Sequence, residues 1–464
     1  MHDRQSKLEG VGLKLVGIAI VGMFGAAAPV AAQQAKTPTP VPPGSMTQNV
    51  EVVAYTDIGG RPAFKLDMNH VGDKWYLYLG HYVYRGWSVV DVTDPKDPQF
   101  ANFIKGPDNT QMLGVDSADG KVVASLGRIQ KGDETPPGTP RVDDANKPPQ
   151  TGIMIFDTTK DPVHWTTLGQ FDTTGNGTHK NFYGGGKYTF LAANPTGYKG
   201  NILVIVDISD PAHPTEVSRW WVPGQKENAG EPPYEPGSNL HGPAYVIGNT
   251  AYLPYGGAGL ILLDVSDVKA PKLISKLDFD PPFGGLVVHS VLPMPDRGLI
   301  FINGEAIAEN CDEPLEVAAM VDIKDPAKPR LLSIFPRPVP PAGLPYANFC
   351  DKGGRSGPHN TNDHQHNPAV EKVSDLIYLT YFNGGLRIYD ISDPRLPREV
   401  GYFIPPNPTK RYHTMPYNSL VNQTEEVLVD RRGYIYVTDK NQGIYVLRYT
   451  GPRKGAAKSG EATR

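Results

Sequence analysis

Cysteine is almost missing: 464 residues contain two, Cys311 and Cys350, so no paired-cysteine zinc motif can be built. A dominant sign of charge is missing too. Lys and Arg total 45 against 49 Asp and Glu, a net −4, which gives no basis for nucleic-acid binding. Helix-period patterns are absent, and beyond the first 30 residues no apolar run is long enough to span a membrane. No glycine-rich loop joins a strand to a helix, and neither a nucleophile elbow nor HExxH occurs. The plentiful residues are 50 glycines and 46 prolines, set between short alternating apolar runs. That composition predicts a turn-rich, all-β chain and argues against disorder.

One pattern recurs: an apolar strand ends in an aspartate that opens a turn. The copies are GWSVVDVTDP (Gly86–Pro95), GIMIFDTTKDP (Gly152–Pro162), ILVIVDISDP (Ile202–Pro211), LILLDVSDV (Leu260–Val268), VAAMVDIKDP (Val317–Pro326) and LRIYDISDP (Leu386–Pro394). A truncated seventh reads GIYVLRYTG (Gly443–Gly451). Periods of 50 to 68 residues between Asp91, Asp157, Asp207, Asp264, Asp322 and Asp390, filled with strands and turns, predict a propeller rather than a helical solenoid. The stretch from His241 to Pro282 divides into four strands, one blade. The aspartates and the S/T-D-P that follows suit a turn, with side chains bonding nearby backbone N–H groups.

The last copy stops after its third strand, whereas Val50–Ile58 reads like a fourth strand such as Pro397–Pro405. Pairing the two would close the ring without an open edge. The expectation is an all-β, seven-bladed β-propeller with its N-terminal strand closing the last blade, six blades being the alternative. The third-strand string resembles the LVIVD repeat family, a resemblance that runs along nearly the whole chain after the leader. It implies the fold and says little about chemistry, since propellers host many functions.

Arg4, Lys7 and Lys14 precede an apolar run from Leu15 to Ala28 and the small residues Val30-Ala31-Ala32. That order predicts a signal peptide over 1–32 and a periplasmic or secreted protein, with no membrane span after cleavage. Residues 33–48 read as a disordered lead-in, 49–451 as the propeller and 452–464 as a disordered tail. In an exported chain, two cysteines in loops on one rim predict a Cys311–Cys350 disulfide.

Aligning the blades on the turn between first and second strands (Gly186, Gly248, Gly298 and Asp375) puts a histidine at the start of four innermost strands. These are His179, His241, His289 and His366. Lys65, Gln111 and Thr424 stand near that position in the other blades. Innermost strands line the axial channel, so the four imidazoles converge there and predict a metal ion: Fe or Cu by preference, Zn possible, Mg and Ca unsuited. Carotenoid-cleavage oxygenases and selenium-binding proteins have a similar arrangement of histidines on a propeller axis. Glu305 is the expected outer carboxylate orienting an imidazole. His359 and His364, in GPHNTNDHQH, are additional ligands or part of a flexible loop.

Long loops before these strands, and Gly127–Thr151, offer Arg128, Tyr234, His364, Arg411 and His413 as substrate contacts at the rim. Tyr346, Phe349 and Tyr412 are further candidates. The composite expectation is an exported, metal-dependent oxidoreductase acting on a small organic molecule. The alternative is a non-catalytic propeller whose rim loops bind a protein or an envelope glycan.

Overall fold

The computed structural model describes residues 39–130, 146–279, 286–314 and 316–453. The expected leader, residues 33–38 of the lead-in and residues 454–464 of the tail lie outside them. Among the described residues the secondary structure is strand throughout, apart from one 3-10 turn at Pro295–Arg297. No described helix is long and apolar enough to cross a membrane.

Short apolar strands separated by tight turns can pair only antiparallel with their neighbours. The first unit runs Leu66–Val71, Lys74–Gly80, Gly86–Asp91 and Gln99–Lys105, each strand beside the next. The second (Val115–Ala118, Lys121–Arg128, Gly152–Asp157, Thr166–Phe171) and the third (Gly177–Phe182, Tyr188–Asn194, Ile202–Asp207, Thr215–Trp220) repeat that order. The single pair Gly177 with Gly127, together with the short strand Thr110–Gln111, merges those two into one nine-stranded sheet. The fourth comprises Tyr245–Ile247, Thr250–Pro254, Leu260–Asp264 and Lys272–Leu277. Ser290–Met294, Leu299–Asn303, Ala318–Asp322 and Arg330–Ile334 make the fifth.

Two units borrow from the N-terminus. Thr424–Val429, Tyr434–Asp439 and Ile444–Tyr449 are completed by Val50–Thr56, which pairs from Val50 with Tyr449 to Thr56 with Ile444. The last blade is therefore closed by the first long strand. The sixth unit, Leu376–Thr380, Leu386–Asp390 and Arg398–Ile404, carries Met46–Gln48 on its outer edge. Those three residues were expected in a disordered lead-in; they are ordered because the closing strand holds them beside Tyr402–Ile404.

The recurring aspartates serve the turns. Oδ1 of Asp91, Asp157, Asp207, Asp264, Asp322 and Asp390 each accepts the backbone N–H two residues on, at 2.8–3.0 Å. Just before each aspartate the pairing with the outer strand slips by one residue. Such bulges increase local twist, and a repeated bulge gives every unit the same twist.

Third strands are buried on both faces, with Leu203 to Val206 at most 1% exposed. Each fully buried Val, Leu or Ile contributes about 1.5–3 kcal/mol. Met68 and Leu77 of the first unit share a core with Leu428 and Val446 of the last, so the ring closes on apolar packing. The architecture is an all-β propeller.

The innermost strands break this apolar pattern. Lys65, Asp67, Asp116, Lys180, Asn181, Glu425 and Glu426 all lie on or beside them and are buried. The sixth unit departs most: its innermost position is taken by residues 359–361, outside any regular strand. His359 N donates to Thr380 O at 3.0 Å, Thr380 N to Asn360 O at 2.9 Å, and Thr361 bridges Leu379. The chain then continues through Asn362 to Asn367 among the buried polar side chains.

Candidate metal centre in the channel

Three of the expected histidines stand together, and the fourth place belongs to another residue. Ring centroids run His179 to His241 at 4.6 Å, His241 to His289 at 4.9 Å and His289 to His359 at 5.0 Å. His366 is elsewhere, 5.1 Å from the Phe182 ring and 5.8 Å from His364. Counting back from Asp375 presumed a regular innermost strand, and the sixth unit lacks one. His359 is the residue beside Leu376–Thr380.

Local structure aims each ring. His179 sits at a slip in register between Thr178 and Lys180, which turns it out of the ladder. His241 N donates to Pro254 O at 3.2 Å, and His289 N to Asn303 O at 2.7 Å. Neighbouring units approach closely here: a Cβ at Gly242 would overlap the His289 carbonyl oxygen. His359 stacks on Phe382, with centroids 4.6 Å apart.

Glu305 is closer than an outer orienter. Its Oε2 lies 3.4 Å from His241 Nε2 and 3.3 Å from His289 Nε2, and its Oε1 is 3.6 Å from His359 Nε2. Arg355 donates to the same carboxylate at 2.5 Å and to Ala306 O at 2.6 Å. His241, His289 and Glu305 present ligand atoms within 4.8 Å of one another.

The far nitrogens bear on the tautomers. His289 Nδ1 lies 3.2 Å from the His359 carbonyl, which can only accept, and 2.7 Å from Ser290 Oγ, which itself donates to that carbonyl. His359 Nδ1 faces Glu425 Oε2 at 3.3 Å. An Nδ1 proton on either ring would find an acceptor there, with Nε2 then turning its lone pair toward Glu305; Asn360 Nδ2 also lies 3.3 Å from His359 Nδ1. A ring N–H given to a carbonyl or carboxylate is the usual support of a metal-binding imidazole. Burial, helped by the charge on Lys180, pushes His241 down to about 3 and holds His289 and His359 well below the ordinary histidine value. The neutral form of the rings is favoured.

Cations surround the cluster. Lys180 Nζ is 3.3 Å from His289 Nε2 and 3.4 Å from Asn360 Oδ1. Burial, then the charge of Lys65, brings Lys180 down to about 8. Lys440 is 3.2 Å from Glu425 and lies over the Tyr82 ring. A cavity of about 160 Å³ opens on Lys180, Arg355 and Lys440, on Phe64 and Tyr82, and on all four histidines. A larger one, about 580 Å³, shares His179 and His241 and adds Arg128 and Tyr234.

The other expected rim residues sit differently. Arg411 donates to the backbone carbonyls of Thr414 and Pro416, which folds its own loop. His413 is 1% exposed, accepts Met415 N at 2.9 Å and meets the Tyr82 ring edge-on; its neighbour Met415 lines the cavity instead. His364 is 3% exposed inside the channel, with Nδ1 3.2 Å from Asp67 and 3.6 Å from Asp116. Phe349 lies beneath the Arg387 guanidinium, and Tyr346 beside Phe349. Tyr412 N donates to Asn441 Oδ1. Cys311 and Cys350 are joined in a disulfide.

The LVIVD repeat matches residues 185–221, 245–278 and 374–404, which are strands of the third, fourth and sixth units. The chain carries LVIVD repeats. No curated protein matches it by sequence. The β-propeller domain of Myceliophteria thermophila Cps50 (Swd1) is similar in structure, with a TM-score of 0.50 and 9% identity over 86% of this chain and 99% of that one. A functionally unknown protein from Desulfotomaculum acetoxidans DSM 771 gives a TM-score of 0.45 at 11% identity, over 73% of this chain and 84% of its own. At such identities the likeness concerns fold alone. Chemistry has to be read from this LVIVD propeller's own residues, whose His, Asp and Glu groups could hold a metal.

Proposed function

We propose that this LVIVD propeller is an exported, metal-dependent oxidoreductase whose centre lies at the mouth of the channel. His241, His289 and His359 would hold the ion, with Glu305 as the carboxylate ligand and His179 beside them. One observation carries the reading. Nε2 of His289 lies 3.3 Å from Glu305 Oε2, a buried oxygen with no hydrogen-bond partner, and Nε2 of His359 lies 3.6 Å from the Oε1 that also accepts Arg355. With both rings protonated on Nδ1, acceptors face an unpartnered acceptor in a buried site, which is costly and which a metal ion among them would relieve.

A set of neutral imidazoles and one carboxylate suits Fe(II) or Cu(II), with Zn(II) also accommodated. Bound there, iron or copper would supply one-electron chemistry at a position open to the cavity. The protein's own part is binding and charge placement. Lys180, Arg355 and Lys440 favour an anionic group, and the cavity's small volume admits a carboxylate-sized head while the larger chamber holds the rest. Phe64 and Tyr82 give that head apolar walls. Export is supported by the basic, apolar and small-residue order of the first 32 residues and by the disulfide.

Lys180 favours a second reading. Its ammonium, 3.3 Å from His289 Nε2, can itself donate to one lone pair, and the polar cluster then serves only to plug the channel of a propeller that binds a protein or glycan at its rim. Oxygen uptake separates the two. Iron- or copper-loaded protein, presented with small aliphatic and aromatic carboxylates, is expected to consume dioxygen faster than metal-free protein with at least one class. Equal rates throughout would contradict the enzyme reading.

A further inference from the structure

We propose that Asp67, Asp116, His364 and His366 form a second divalent-cation site, deeper in the channel and independent of the first. All four present ligand atoms within 4.8 Å of one another. They come from three places: Asp67 from the innermost strand of the first unit, Asp116 from that of the second, and the histidines from the segment that threads the sixth. His179 and Phe182, three residues apart on one strand, touch the upper and lower clusters respectively. The two sites are therefore stacked roughly 10 Å apart.

The carboxylates are already oriented by donors. Asp67 Oδ1 accepts Met68 N at 2.7 Å and Asn367 Nδ2 at 3.0 Å, and its Oδ2 accepts Ser117 N at 2.5 Å. Asp116 Oδ2 accepts Asn181 Nδ2 at 2.5 Å. Each carboxylate keeps lone pairs for an ion. Lys65 is held between Asp363 at 3.0 Å and Glu426 at 2.9 Å, and among the four residues His364 Nδ1 already lies 3.2 Å from Asp67 and 3.6 Å from Asp116.

His366 supplies the independent sign. Both its ring nitrogens are buried and hydrogen-bond to nothing, while its ring is packed against Phe182, Tyr245 and His364. Two buried, unpartnered ring nitrogens on a half-buried imidazole, beside two buried carboxylates that share the single ring nitrogen Nδ1 of His364, are separately unfavourable. One cation answers both.

Two nitrogens and two carboxylates suit Zn(II), Mn(II) or Fe(II). Calcium prefers six to eight oxygens, and Cu(I) prefers sulfur. With ligands drawn from the first unit, the second unit and the threading segment, the ion would act as a clamp on the channel lining.

Zinc alone is the probe. Chelator-stripped wild type, His289→Ala and His366→Ala are titrated with Zn²⁺ by calorimetry, with melting followed in parallel. Wild type is expected to bind two equivalents, His366→Ala to lose one with its melting shift, and His289→Ala to lose the other. A His366→Ala protein that binds as much zinc as wild type overturns the proposal. If only the His289-dependent event is missing from wild type, the upper site fails and this one stands. Crystals of the unaltered protein soaked in Zn²⁺ give a readout that needs no variant. An anomalous peak between Asp116 and His366 is expected. No peak there, with His364 bonded directly to Asp67, overturns it.

Discussion

His359 and Glu425 meet with Nδ1 3.3 Å from Oε2, and this contact leaves the other nitrogen of His359 facing Glu305. Glu425 is fully buried and is itself held by Lys440 at 3.2 Å and by the Tyr82 hydroxyl at 3.1 Å. Glu425 thus meets a ring nitrogen of His359 from behind, while Glu305 lies among the Nε2 atoms of His241, His289 and His359.

This arrangement makes Glu425→Gln informative. Glutamine keeps an acceptor toward His359 and loses the charge. Affinity of the upper site for Zn²⁺ or Cu²⁺ is expected to fall about 10- to 100-fold, as for other outer-shell partners of metal-binding histidines. Titration against a competing chelator measures it, and an unchanged affinity would remove Glu425 from the support of the site.

The closing strand is tested by removing it. Val50–Thr56 supplies the fourth strand of the last unit and buries Val50, Ala54 and Tyr55. A chain starting at Asp57 loses that burial and exposes two edges, so unfolding free energy should drop by several kcal/mol. Denaturant titration checks this. A midpoint equal to that of the full chain would show that the ring does not depend on the pairing.

The disulfide Cys311–Cys350 links residues 39 apart in sequence, beside the Arg355 segment. Loop closure of that length is worth about 3–4 kcal/mol in the chain-entropy model. The Cys311→Ala/Cys350→Ala double variant should be destabilised by about that amount, and unreduced wild type should show no alkylated thiol by mass spectrometry. Two labelled thiols would refute the bridge in the isolated protein.

Acid sensitivity has a source away from both clusters. His81 is 0% exposed, with Nδ1 3.0 Å from Pro62 O and Nε2 2.8 Å from Ser88 Oγ. Burial first, and the nearby Arg61 charge, push it down to about 4; the Tyr84 and Phe103 rings wall it in. Between its unfolded value near 6.5 and about 4, the unfolded chain binds the extra proton. Stability must fall as pH falls through that window, by about 2–3 kcal/mol by pH 4.5. His81→Gln should lose correspondingly less stability between pH 7 and 4.5 than wild type does. Equal losses in the two proteins would show that His81 protonates freely when folded.

The fold was legible because it repeats: LVIVD and its kin end in turn aspartates that all make the same hydrogen bond. The register also brought His179, His241 and His289 to neighbouring positions, with ring centroids 4.6 and 4.9 Å apart, because each stands in or just before the innermost strand of its unit. It failed at the sixth unit, where Pro358 to Asn367 threads the channel and leaves no strand to count along. A signal was present. The run His359-Asn360-Thr361-Asn362-Asp363 is polar at every position, which no strand packed between apolar sheets can be, and a polar channel can accept it. Gly357 lets that segment lie against Glu305's neighbour, since a Cβ there would sit 2.6 Å from Ala306 Cβ. Asp67 and Asp116 gave no signal, because a lone acidic residue in an innermost strand matches no motif.

A transition metal held among His241, His289, His359 and Glu305 is what the proposed function requires. Metal analysis of protein purified without chelators, beside His289→Ala and His359→Ala prepared identically, tests it most directly. Iron, copper or zinc is expected in wild type, close to one equivalent of it dependent on both histidines, with unchanged content in His213→Ala, whose ring pairs with Asp210 in an exposed turn. Wild type that carries none, and neither binds nor is stabilised by added Fe²⁺, Cu²⁺ or Zn²⁺, would contradict it.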